Sequence, residues 1–146
     1  MIGDGGCQAM RAILVPLLLL ALPAAAQTER RYDDRGRYTG RAERSGDTTR
    51  FYDDAGRYTG RAEHGRDGTV RLYDDRGRFT GREERRDGTV RRYDDAGRYQ
   101  GRSELRDGTA RHYDDQGRYT GRDERTGGTT RSYDDRGRYE GRGEKR

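Results

Sequence analysis

Cysteine, proline, histidine and tryptophan are almost missing from this chain: it has one Cys, two Pro, two His and no Trp in 146 residues. Cys7, Pro16 and Pro23 all fall in the first 26 residues. From Gln27 onward there is no cysteine, proline, isoleucine, methionine or tryptophan, and the only large aliphatic residues are Val70, Leu72, Val90 and Leu105. The lack of cysteine excludes disulfide staples and thiol chemistry from that part. Four aliphatics cannot build an ordinary globular core. His64 and His112 are single and non-equivalent, so they read as solvent-exposed surface residues rather than as a catalytic base or a metal ligand.

The apolar residues that do occur are concentrated in front. Arg11 precedes the run from Ala12 to Leu22, followed by Pro23 and Ala24-Ala25-Ala26. A positive residue, a short apolar stretch and a small-residue tripeptide make a secretory signal, expected to be helical and cleaved between Ala26 and Gln27. The run is short of the roughly 20 apolar residues a spanning helix needs and is interrupted at Pro16, so no membrane span is expected after cleavage. Met10-Arg11 would open such a signal directly, and Cys7 follows no lipobox. The chain therefore divides into a signal peptide, 1-26, and a region 27-146 that is secreted or periplasmic. Setting aside Arg11 and Asp4, that region keeps the +5 balance of the whole chain.

Repetition dominates what remains. Tyr-Asp-Asp begins at Tyr32, Tyr52, Tyr73, Tyr93, Tyr113 and Tyr133, a period of 20 residues with one step of 21 that places an extra residue near His64-Gly65. The unit reads Tyr-Asp-Asp-x-Gly-Arg-(Tyr/Phe)-x-Gly-Arg-x-Glu, a linker, then Gly-Thr-x-Arg-x. Its two turn signals lie about ten residues apart, too close for ordinary helices and right for strands of about five or six residues. Six β-hairpin repeats follow. Both turns, Asp74 to Arg78 and Arg85 to Thr89, read as type I turns closed by a left-handed glycine. That register pairs Tyr73 with Phe79, Leu72 with Thr80, Gly81 with Tyr93 and Glu83 with Arg91, laying a ring over a bare glycine.

The expected fold is all-β: an elongated antiparallel hairpin repeat, a meander or coiled ribbon of about 12 strands spanning more than about 50 Å. With 40% charged residues and 23 Gly, a largely disordered chain is the alternative.

The run Tyr73-Asp74-Asp75-Arg76-Gly77-Arg78-Phe79, followed by Gly88-Thr89-Val90-Arg91-Arg92-Tyr93-Asp94, resembles the YD repeat of the Rhs and teneurin families, and the resemblance covers Arg31 to Arg142. It implies hairpin strips that curl into a shell around a toxin domain or serve adhesion at a cell surface. Six short repeats are too few for such a shell, so the hairpin strip is what carries over.

A repeat offers the same groups everywhere, whereas an enzyme needs unlike groups converging on one place. No catalytic residue and no cofactor is expected. In each Asp pair the first carboxylate pairs with the arginine across the turn and the second accepts backbone N–H groups. Calcium on Asp-Asp-x-Gly is the alternative, opposed by the arginine that follows each glycine. The residues that fit a ligand are Tyr38, Arg41, Tyr58, Arg61, Tyr99, Arg102, Tyr119, Arg122, Tyr139 and Arg142. Rings in register can stack on sugars and guanidinium groups can hold anions. A glycan or anionic cell-surface polymer is the expected partner, self-association through sheet edges or tyrosine faces the alternative, and 26 acids against 31 bases make nucleic acid unlikely. The same side chains would otherwise serve only to pack over Gly40 and Gly60 and to balance aspartates.

Overall fold

The computed structural model describes residues 27–146; the expected signal helix and Ala26, on one side of the expected cleavage site, lie outside the described residues. Over that range the chain is ordered and all-β, so the disordered alternative does not apply. The strands are β1 (Gln27–Asp33), β2 (Tyr38–Ser45), β3 (Thr48–Asp53), β4 (Tyr58–His64), β5 (Thr69–Asp74), β6 (Phe79–Arg86), β7 (Thr89–Asp94), β8 (Tyr99–Arg106), β9 (Thr109–Tyr113), β10 (Tyr119–Thr126), β11 (Thr129–Asp134) and β12 (Tyr139–Lys145). Each pairs antiparallel with its neighbours in sequence, and β1 also pairs with β12. The ribbon expected from the sequence is thus closed into a barrel.

Register explains the closure. Glu29 pairs with Ala42 and Ala42 with Phe51, so the facing residue advances two places, from three before the unit's Tyr to one before it. The same advance recurs in every unit, ending with Gly143 opposite Arg31. Six advances give a shear of about 12 for 12 strands, which sets a strand tilt near 35° and a backbone radius of roughly 11 Å. Equivalent residues of the six units consequently lie at one height, in rings.

The first turn forms as expected. In the first unit the Gly36 N–H bonds to the Asp33 carbonyl and Gly36 has φ 76°. The first aspartate does the work assigned to both: Asp33 Oδ1 accepts the N–H groups of Arg35 and Arg37 at 3.0 and 2.8 Å, and Oδ2 accepts from Arg37 Nε at 2.7 Å. Its neighbour Asp34 is exposed.

The second turn differs from the expectation. Arg86 pairs with Thr89 across a two-residue loop in which Asp87 (φ 50°) and Gly88 (φ 74°) are both left-handed, the signature of a primed hairpin turn whose twist matches the strands. The pairing therefore shifts by one place: Glu83 faces Arg92, Gly81 faces Asp94 and Arg82 faces Tyr93. The three-residue form occurs once, at Gly65 to Thr69, where the Gly65 N–H bonds to the Thr69 carbonyl. The extra residue of the 21-residue step is absorbed there, and Ala62 still faces Leu72 as Ala42 faces Phe51.

A bulge follows each first turn. Tyr73 pairs with Phe79 but Leu72 with Gly81, so Thr80 is the extra residue and not the partner of Leu72. Gly81 has φ 151°, and a Cβ there would lie 2.4 Å from the Tyr93 carbonyl oxygen. The glycine is required by backbone approach, rather than by a ring lying over it.

Strand alternation sends Val70, Leu72 and Asp74 inward and Thr69, Arg71 and Tyr73 outward. Ala42, Ala62, Val90 and Ala110 are buried among Thr49, Ser103, Glu29, Glu83 and Asp123. The four-aliphatic shortage is met by a mostly polar, hydrogen-bonded interior rather than by an apolar one.

Candidate functional site: the outer wall and the filled lumen

Ten side chains expected to bind a ligand all lie on the barrel's outer wall, in rings. Tyr38 stands edge-to-face on Tyr32 with centroids 6.0 Å apart, and Tyr58, Tyr99, Tyr119 and Tyr139 make the same contact with Tyr52, Tyr93, Tyr113 and Tyr133. Arg41 Nε donates to Glu43 Oε1 at 2.6 Å while its guanidinium stacks 4.3 Å from the centre of the Tyr52 ring. The Glu43 bond, then a Tyr38 side-chain bond, raise the Arg41 pKa above its ordinary value. Arg61, Arg102 and Arg122 repeat this on Tyr73, Tyr113 and Tyr133. Arg142 reaches across the closure to stack 4.6 Å from Tyr32, so the last unit meets the first as any two neighbours meet. These arginines are already engaged: the rings cover guanidinium groups, and not the glycines. Tyr38 and Tyr119 keep 36% and 37% of their surface.

A second set of arginines on the same wall makes no close ion pair or side-chain hydrogen bond among the described residues. Arg30, Arg50, Arg71, Arg91, Arg111 and Arg131 stand two residues before each Tyr and are exposed. Each lies directly opposite an arginine of the next strand: Arg30 faces Arg41, Arg50 faces Arg61, and so on to Arg131 and Arg142. Like charges placed so cost roughly 0.2 to 1 kcal/mol per pair. On its other side Arg50 faces Glu43, but that carboxylate is turned to Arg41. Each unit therefore contributes two guanidinium groups and one carboxylate to this belt. The repeat pattern already carried these residues, as the arginine of Gly-Thr-x-Arg-x, but only the pairing register shows that they face other arginines.

Inside, the units stop resembling one another. Ala42 is replaced at its equivalent positions by Ala62, Glu83, Ser103, Asp123 and Gly143, and Arg31 by Phe51, Leu72, Arg92, His112 and Ser132. Both histidines lie here, half-buried, rather than on the surface. Thr49 Oγ1 is 3.1 Å from His64 Nε2, and burial lowers the pKa of His64. Arg92 Nη1 donates to Ser103 Oγ at 2.8 Å, and Ser103 Oγ lies 2.8 Å from His112 Nδ1. A guanidinium can only donate, so Ser103 Oγ accepts from Arg92 and bridges it to the imidazole of His112. Nε2 is 3.2 Å from Asp123 Oδ2, yet neither atom makes an aligned hydrogen bond, so this contact is one of charge and dipole.

Serine, histidine and aspartate in that order have the makeup of a hydrolytic triad. Ser103, however, is 0% exposed and its oxygen is held from two sides. The cluster is a packed polar core. Glu83 extends it: burial raises its pKa, with Arg92 and then Arg85 opposing. No sequence signal marks these residues except that they occupy the positions at which near-identical units differ.

At the closure a cavity of about 280 Å³ is lined by Glu29, Arg31, Ser132, Gly141 and Gly143 among others. Arg31 Nε is buried without a hydrogen-bond partner, 3.8 Å from Glu29 Oε1. Among the described residues no group of His, Cys, Asp or Glu is arranged to hold a metal ion.

No helix among the described residues is long and apolar enough to cross a membrane. Barrels that sit in hydrocarbon present an apolar outer band; the outward positions here include two Arg and one Glu in every unit beside the two aromatics. Compared with known proteins, the chain matches no family model and no curated protein.

Proposed function

We propose that this is an exported, non-enzymatic protein of the cell envelope or the medium whose outer wall binds a glycan or an anionic polymer. The observation that carries this reading is the contrast between the two faces. On the outer wall the two arginines, the first tyrosine and the glutamate of each unit are the same in all six units and the second aromatic differs only at Phe79, whereas the lumen positions of Ala42 and Arg31 change from unit to unit. Packing alone accounts for the varied face; a surface that repeats around a full turn suits a ligand that itself repeats, for which many weak contacts give avidity. The likeness to YD repeats, whose strips serve surface adhesion in some members, agrees with such a role.

The alternative, a self-assembling structural element, loses its simplest route, because closure leaves no unpaired strand edge among the described residues. The faces of Tyr52 and its equivalents, which could have mediated it, are occupied by Arg41 and its equivalents. Chromatography of the purified protein on immobilised polysaccharides, neutral and acidic, tests the binding reading. Retention on at least one is expected, and passage through all of them even at low salt would refute it.

A further inference from the structure

The outer belt of Arg30, Arg50, Arg71, Arg91, Arg111 and Arg131 makes no close ion pair or side-chain hydrogen bond among the described residues, and we propose that it is the contact site for an acidic polysaccharide. This rests on the binding function proposed above and names the residues and the ligand class. Three observations converge on it. First, these side chains are exposed and make no ion pair among the described residues, while the other arginine of each facing pair is bound to a glutamate and stacked on a ring. Second, all six face another arginine on one side and, on the other, a glutamate already bonded to an arginine of its own strand, so the like-charge contact is only partly offset and is nevertheless repeated without exception. A polyanion lying on the belt converts that repulsion into binding. Third, two guanidinium groups and one carboxylate per unit leave an excess of one positive charge per unit in this belt, close to the +5 of the whole chain.

Spacing and neighbours narrow the class. Neighbouring units are two strands apart, which at the barrel's tilt sets the arginine backbones about 12 Å apart around the wall and their outward guanidinium groups farther apart. Nucleic acid carries a charge every ~3.4 Å along each strand, and the Glu43-type carboxylates between successive arginine pairs would face the surplus phosphates. A polysaccharide with one acidic group per two sugars brings fewer charges, and places sugar rings beside the partly exposed Tyr38 and Tyr119. Arginine can hold each carboxylate through paired N–H donors.

The test uses the full chain and two triple variants that remove the same charge. One carries Arg50→Gln, Arg91→Gln and Arg131→Gln in the belt. The other carries Arg35→Gln, Arg76→Gln and Arg136→Gln at exposed first-turn positions. The probes are hyaluronan, uncharged dextran and single-stranded poly(dT), titrated at low and at physiological salt, with circular dichroism to establish that both variants fold. We expect hyaluronan to bind, the belt variant to bind it at least about tenfold more weakly, and the turn variant to stay within about twofold. Equal losses in the two variants would mean that net charge alone acts, and would overturn the belt. Tighter binding of poly(dT) than of hyaluronan would overturn the polysaccharide class. Binding of dextran that the belt variant leaves unchanged would reject the belt while leaving glycan binding in place, and binding of none of the probes would count against both.

Discussion

Gly81 and Gly77 are both glycines with positive φ, but they answer to different constraints. At Gly77 an added Cβ would meet only Arg61 Nη1 at 3.7 Å, so Gly77→Ala should cost about 1 kcal/mol from the left-handed backbone alone. At Gly81 the Cβ would run into the Tyr93 carbonyl oxygen, and Gly81→Ala should cost about 3 kcal/mol or more. Thermal melts of the two variants check the order; equal losses would place the glycine requirement in the turn and not in the bulge. The turn aspartates set the acid limit. Backbone N–H bonds from Arg37, Arg57, Arg78 and Arg98 are the chief cause that lowers the pKa of Asp33, Asp53, Asp74 and Asp94. A carboxyl with a depressed folded pKa stabilises fully above its unfolded value, about 3.9, and that stability is lost as pH falls through the folded pKa. The melting temperature should fall steeply below about pH 4, and Asp74→Asn should make the fall shallower.

At the scale of the strand, the lumen network ties β7, β8, β9 and β10 together through Arg92, Ser103, His112 and Asp123. Ser103→Ala removes the one group that bridges Arg92 and His112, leaving two buried polar atoms without that partner, and should cost about 1 to 3 kcal/mol. Ser132 stands opposite Asp123 at a half-buried position outside this chain of bonds, so Ser132→Ala should cost well under about 1 kcal/mol. Chemical denaturation of the pair checks this; similar costs would mean that the network contributes nothing beyond ordinary packing. The strands themselves were legible in the sequence because the turn residues recur so regularly. Their register was not, since Asp87-Gly88 serves equally as the end of a three-residue loop and as a complete two-residue turn. Twist matching between the strands decides between them.

For the molecule as a whole, β12 is the element that turns a ribbon into a barrel. Ending the chain after Arg138 would leave β1 and β11 with unpaired edges, and such edges recruit other chains. The shortened protein should associate into dimers or larger species on size exclusion with light scattering, while the full chain does not do so through its edges. A shortened chain that stays monomeric and keeps its melting temperature would mean that closure contributes little. The same closure defines the outer belt of arginines as a ring without ends, which no open ribbon would present.

Composition and period by themselves determined the strand count, the first turn and the alternation of faces, because glycine, aspartate and tyrosine each act over a few neighbouring residues. Tertiary structure alone decided the rest. The two-residue advance per unit sums to closure only when all six are present, and only closure buries the varied positions together, which is why His64 and His112 read as surface residues in the sequence and lie in the lumen of the barrel. It also separated the two kinds of arginine: Arg41 is held by Glu43 of its own strand, while the register sets Arg50 between that already bonded carboxylate and the Arg61 of the next strand.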